Sequence, residues 1–153
     1  MAKTSARERN KERRRVYQDV LRHARTLTSS LSKAEIVEKA KSALDNLNIK
    51  IGEIASLEGR TDLTNFQKDF LAVKYEEAAE KLERVAYLAI AFSEPLSASI
   101  YFQEAYECYL DGMKYPNKFI SHDVAMESLR EMSVACAYED ARRKNSCRNF
   151  FRN

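Results

Sequence analysis

The chain has 153 residues, 44% hydrophobic and 32% charged, with 26 lysines and arginines against 23 aspartates and glutamates. That length suits one domain with a core of its own, and three glycines and two prolines exclude a turn-rich β architecture. Leu, Ala, Glu, Lys and Arg lose least on entering a helix, so their abundance predicts an all-α fold: a four- or five-helix bundle with basic N- and C-terminal extensions.

The net charge of +3 conceals a segregation. Residues 1–25 hold nine cations and three anions, and residues 142–153 hold five cations and no anion. The 116 residues between them carry 12 cations and 20 anions. Basic ends of +6 and +5 thus flank a body of −8, dividing the chain into a basic arm (1–15), a helical bundle (16–141) and a basic tail (142–153). Such ends suit nucleic acid, an acidic surface or the acidic body of another copy.

In chain order, Arg7-Glu8-Arg9-Asn10-Lys11-Glu12-Arg13-Arg14-Arg15 comes first. It cannot enter a core, because each buried unpaired charge costs several kcal/mol. The helix that carries it starts near Ser5, runs to about Thr28 and gains an apolar face only at Val16, Val20, Ala24 and Leu27. Ser32-x-x-Glu35 is a capping box, opening a second helix with Ile36, Val37, Ala40, Leu44, Leu47, Ile51 and Ile54 on one face and Gly59 as its left-handed stop.

Thr64-x-x-Gln67 is another capping box, and the helix it opens should be the longest, at about 28 residues or 42 Å. Its apolar face is Phe66, Phe70, Ala78, Leu82, Val85, Ala89 and Phe92, and its end, Val85–Phe92, is apolar nearly all round, as a bundle centre requires. Pro95 restarts a helix after Ser93-Glu94, with Leu96, Ile100, Tyr106, Tyr109, Leu110 and Met113 expected inward and Asp111-Gly112 at its end. A loop follows through Tyr115-Pro116-Asn117. Ser121 should cap the last helix, with Val124, Leu129, Met132 and Cys136 inward, before it dissolves into the tail.

No residues assemble a catalytic set, so no enzyme, cofactor or metal is expected. His23 and His122 lack partners nearby in the chain, and three glycines cannot build a phosphate loop. Cys108, Cys136 and Cys147 have neither metal nor redox spacing. The first and second fall at apolar helical positions, where a free thiol acts as a small hydrophobe in a reducing compartment. The charge-free stretch Val85–Ser93 has nine residues, against roughly 20 for a membrane span, and the N-terminus lacks an apolar signal core. The expectation is a protein of the cytoplasm or nucleus, or of a virus particle, that is not secreted.

Two local resemblances bear on function. Gln103-Glu104-Ala105-Tyr106-Glu107, with Phe119-Ile120-Ser121-His122-Asp123-Val124 downstream, looks like the QExxE helix of the translin family of helical RNA-binding proteins and nucleases. That likeness implies Glu104 and Glu107 as metal-binding carboxylates, although the family's downstream acidic motif is missing. Ala6-Arg7-Glu8-Arg9-Asn10 followed by Leu31–Ala40 and Leu44 resembles basic helix-loop-helix DNA-binding proteins, in register through Leu47. The first helix departs from that pattern, since Arg15, Asp19 and Arg22 stand where core residues belong.

The sequence therefore reads as a non-enzymatic, self-assembling nucleic-acid-binding protein, of the kind that coats or packages RNA or DNA in a capsid or nucleocapsid. Phosphate contacts fall to Arg7, Arg9, Lys11, Arg13, Arg14, Arg15, Arg22 and Arg25, and to Arg142, Arg143, Lys144, Arg148 and Arg152. Phe150 and Phe151 among the tail cations suit stacking on single-stranded bases. The partners expected are nucleic acid and further copies of the chain, with no membrane. The alternatives are a protein-interaction module that docks an acidic partner, a metal-dependent nuclease using Glu104 and Glu107, and a basic helix-loop-helix-like regulator.

Overall fold

The computed structural model describes residues 5–115 and 122–152, with side chains described as far as Cys147. Among the described residues all regular structure is helical: α1 Ala6–Thr28, α2 Lys33–Leu57, α3 Asn65–Ala91, α4 Pro95–Gly112 and α5 Asp123–Arg152.

Local chemistry fixes most helix ends. The expected capping boxes form at α2 and α3. The Ser32 and Thr64 side chains accept from the N–H groups of Glu35 (3.2 Å) and Gln67 (3.1 Å), whose side chains accept from the cap N–H groups in return. A third box, Ser5 with Glu8, opens α1. Gly59, at φ +85°, stops α2 in the left-handed region as expected. Ser93 adopts φ +58° without being glycine, a strained turn costing on the order of 1 kcal/mol, and Pro95 then starts α4 in its first turn.

Helices α2, α3, α4 and α5 run antiparallel in sequence order. Lys50 meets Glu77 across α2 and α3, and Tyr87 meets Phe102 across α3 and α4. Ser99 meets Ser133 across α4 and α5. α1 closes the circuit by packing on both α3 and α5, so α1, α3, α4 and α5 enclose the core, and α2 docks chiefly on α3 from outside. The centre is filled by Tyr17, Leu71, Leu82, Ile90, Phe102, Leu129 and Cys136, all buried.

Close approach comes from small residues: Ala78, Ala79 and Ala86 on α3, Ala98 and Ala105 on α4, and Ala135 on α5 are all fully buried. At Gly112 a Cβ would lie 2.9 Å from Cβ of Tyr75, so α4 touches α3 there only because position 112 has no side chain. Between α4 and α5, the Ser99 hydroxyl donates to the Ser133 carbonyl (2.7 Å), and the Ser133 hydroxyl donates to the Ser99 carbonyl (2.9 Å). Both buried hydroxyls are thereby satisfied.

Several sequence expectations need correction. The longest helix is α5, at 30 residues, ahead of α3 at 27. α5 does not dissolve at Arg142 but stays helical to Arg152. On α4 Leu96, Ile100 and Leu110, and Met113 just after its end, face solvent, and Pro95, Ala98, Ser99, Phe102, Ala105 and Tyr109 face inward. The interior there takes small side chains beside two large rings, Phe102 and Tyr109, so the bulky aliphatics are displaced to the outside. Phe66, Phe92, Val37, Ile51, Leu27 and Val124 are likewise exposed, and Ala43, Leu71, Tyr75, Met126 and Ala135 take core positions not anticipated. The expected cap at Ser121 and the loop residues Pro116 and Asn117 lie outside the described residues. Among those described, no helix is long and apolar enough to cross a membrane.

Candidate nucleic-acid interface

The N-terminal half of α1 has no buried residue before Tyr17 and lies against α5. Its charges sort onto two stripes of the same helix. Glu12, Arg15, Asp19 and Arg22, at spacings of three, four and three, form a ladder of ion pairs. Arg15 binds Glu12 through two nitrogens and Asp19 at 3.0 Å, and Arg22 reaches Asp19 at 3.2 Å. The hydrogen bond from Arg15 holds the Glu12 carboxyl below its usual pKa. This stripe is close to self-neutral.

The other stripe is not. Arg7, Asn10, Lys11 and Arg14 follow spacings of three, one and three, which place them on one face over about 10 Å of helix. Arg7, Lys11 and Arg14 are exposed and have no ion pair or hydrogen bond with a described side chain. With Ser5, Glu8 and Tyr138 they line an open recess where α1 meets α5. Glu8, whose carboxylate accepts from the Ser5 N–H, keeps its negative charge there, so the recess carries three cations and one anion. The half-buried Tyr138 ring has the Arg13 guanidinium 5.9 Å from its centroid, and Arg13 also donates to Asn10 (3.4 Å).

The hydrogen bond that joins the two helices at this end runs from Arg143 of α5 to Tyr17 of α1, and Glu139 holds that arginine in place. Glu139 is only 4% exposed and accepts from Arg142 at 2.9 and 3.1 Å and from Arg143 at 3.1 Å. Arg143 in turn donates to the buried Tyr17 hydroxyl of α1 (3.1 Å). Burial alone would raise the Glu139 carboxyl, but the hydrogen bonds from the two arginines overcome it and hold the pKa below the ordinary carboxylate value. Burial raises the Tyr17 phenol despite its arginine neighbour, so it stays protonated.

The expected contact residues thus divide. Arg7, Lys11 and Arg14 come together with Tyr138, and Arg13 stands beside them. Arg15 and Arg22 belong to the ladder, and Arg9 lines a second recess of mixed charge with Val16, Glu127 and Glu131. Arg25 is exposed farther along α1. Arg142 and Arg143 serve the Glu139 lock, and Lys144 pairs with Asp140 (3.0 Å). The side chains of Arg148, Arg152, Phe150 and Phe151 lie outside the described residues. Asn10, Tyr17, Tyr138 and Glu139 were not anticipated. Glu139 was detectable in principle, since it precedes Arg142 and Arg143 by three and four residues, the helical ion-pair spacing.

The other constellations are simpler. Glu104 and Glu107 are exposed on α4, where partial burial and then the charge of Glu107 raise the Glu104 carboxyl. Among the described residues no three His, Cys, Asp or Glu side chains come close enough to hold a metal ion. His23 packs on the Tyr87 ring at 4.4 Å between centroids, and His122 lies 3.9 Å from Glu76 and 4.6 Å from the Tyr109 ring centroid. Burial pushes the Cys136 thiol up to about 12 and Cys108 to about 11, so neither is a thiolate near neutrality.

No protein-family model matches the chain, and no curated protein or solved structure matches it significantly.

Proposed function

We propose that the protein binds nucleic acid through the α1–α5 recess and self-associates on it, as a coat or packaging protein does, without catalysing a reaction. The observation that carries this reading is the stripe Arg7–Lys11–Arg14, three cations with no ion-pair partner among the described residues and one nearby carboxylate, Glu8, beside a ladder whose charges are already spent on each other. Three cations on one helix face match a run of phosphates and carry no base code, so the binding is independent of sequence. Tyr138 offers a ring beside them, which suits a single strand with unstacked bases. The Glu139 lock keeps the α1 face in place against α5, so the stripe is presented on a fixed support.

Three phosphates neutralised, rather than the five or more suggested by counting arm cations, give log K against log salt a slope of about −2 to −3. The test compares R7S/K11S/R14S with R15S/R22S in fluorescence-anisotropy titrations of single-stranded RNA and DNA across a salt series. The first variant should lose most of its affinity and flatten the slope, while the second should change little. Equal affinity for R7S/K11S/R14S and the unaltered chain overturns the reading. An absorbance ratio at 260 and 280 nm typical of bare protein, before any high-salt wash, favours an acidic protein partner instead.

A further inference from the structure

The outer face of α4 combines two features that a free surface seldom keeps together. Leu96, Ile100 and Leu110 are 45, 51 and 48% exposed. With Gln103 and Glu107 they form a stripe at alternating spacings of four and three, about 21 Å long at 1.5 Å per residue. α3 and α5 occupy the opposite side of α4, and no other described helix covers this one. α4 also contains no cation. Asp111 pairs with Lys114 (3.4 Å), but Glu104 and Glu107 have no ion-pair partner among the described residues. The face is apolar and negative.

Its complement lies elsewhere on the same chain. After Arg143 reaches Tyr17, α5 continues as helix to Arg152. Residues 144–147 are exposed and make no hydrogen bond or ion pair to another helix among the described residues. Beyond the Glu139 lock and the Lys144–Asp140 pair, the sequence supplies two more cations, Arg148 and Arg152, with Phe150 and Phe151 and no anion, over about 12 Å of helix from residue 144. A chain cannot seat this segment on its own α4 face, because Ser99 and Ser133 fix α5 on the other side of α4.

We propose that the outer face of α4 receives the last turns of α5 from a second copy, joining copies head to tail. This rests on the self-association half of the proposed function and is independent of nucleic-acid binding. Charge selects the pairing: two α4 faces brought together would set Glu104 and Glu107 against their own copies, whereas the tail brings cations to them. Because the two surfaces differ, the contact is heterologous and each added copy exposes a fresh acceptor face. The product is a ring or an open chain rather than a closed pair.

The experiment uses nuclease-treated full-length protein in analytical ultracentrifugation, with circular dichroism confirming the helical content of each variant. The intact chain should show a mass that rises with concentration above 17.7 kDa and falls with added salt. I100R/L110R, a ruined acceptor, and R148S/R152S, a ruined donor, should each weaken association about tenfold or more, as should the milder E104K/E107K. Mixing the first two leaves one good tail and one good face, so the mixture should give 1:1 dimers that do not extend. R7S/K11S/R14S should assemble normally even where it has lost nucleic acid, so failure of either reading is seen separately. A monomer at every concentration, undiminished assembly in either ruined variant, or a mixture that stays monomeric overturns the proposal.

Discussion

Two places in this molecule bring charged helices together, and they handle charge oppositely. Along the α2–α3 seam, Lys50 meets Glu77 at 2.6 Å, while Lys74 meets Glu53 at 3.1 Å and Glu77 at 3.2 Å, so two cations and two carboxylates close on each other across the helices. Hydrogen bonding from Lys50 lowers the Glu77 carboxyl below its ordinary value. At the α1–α5 end one carboxylate, Glu139, serves two arginines, while Arg7, Lys11 and Arg14 have no ion-pair partner among the described residues. The seam spends its charge on folding. The end keeps a surplus after its folding needs are met, and a surplus held on a rigid support is what an external anion can use.

The largest expected effect comes from detaching that end. Tyr17 is buried and carries the Arg143 hydrogen bond, so Tyr17→Ala should cost about 3–5 kcal/mol in urea unfolding. It should also loosen the first half of α1, seen as faster amide exchange over residues 6–16, whereas Tyr17→Phe should cost only about 1 kcal/mol. An α1 that stays equally protected in Tyr17→Ala would mean that the cationic stripe needs no support from α5.

Next in size is Glu139→Gln, at about 1–3 kcal/mol near neutral pH. The folded carboxyl has a lowered pKa, so its contribution is present above the unfolded value of about 4.3 and is lost as pH falls through the folded one. The stability gap between the intact chain and Glu139→Gln should therefore hold from pH 7 to about 5 and narrow below about 4. A gap that widens with acidification contradicts the lock.

The smallest effect belongs to the seam. A double-mutant cycle on Lys50 and Glu77 should return a coupling of about 0.5–1 kcal/mol, as expected for a partly exposed pair. Raising the salt concentration should shrink it while leaving the Tyr17 effect unchanged.

What the sequence revealed was the chemistry that acts within four residues. Ser32 with Glu35, Thr64 with Gln67, Gly59 and Pro95 each act on their own turn, and each was readable without knowing the rest of the fold. The faces were harder. On α4 the bulky Leu96, Ile100 and Leu110 imitate a core stripe, yet the interior takes Ala98, Ser99 and Ala105, because contact with α3 and α5 is limited by how close the backbones come. Counting cations could not separate Arg15 and Arg22, spent on Asp19, from Arg7 and Lys11, which stand free of it. The support for the candidate site was illegible for a different reason: Tyr17 and Arg143 are 126 residues apart, and no local pattern joins them.

The reciprocal hydroxyls of Ser99 and Ser133 have a mechanical consequence. Sliding α5 by one turn along α4, about 5.4 Å, would break both hydrogen bonds between the buried hydroxyls and the facing carbonyls, so the pair acts as a register stop between the two helices. The stop also fixes where along α4 the exposed residues 144–147 of α5 come to lie. Two small polar residues in the middle of the molecule thereby set the position of its basic terminus, far from any charge.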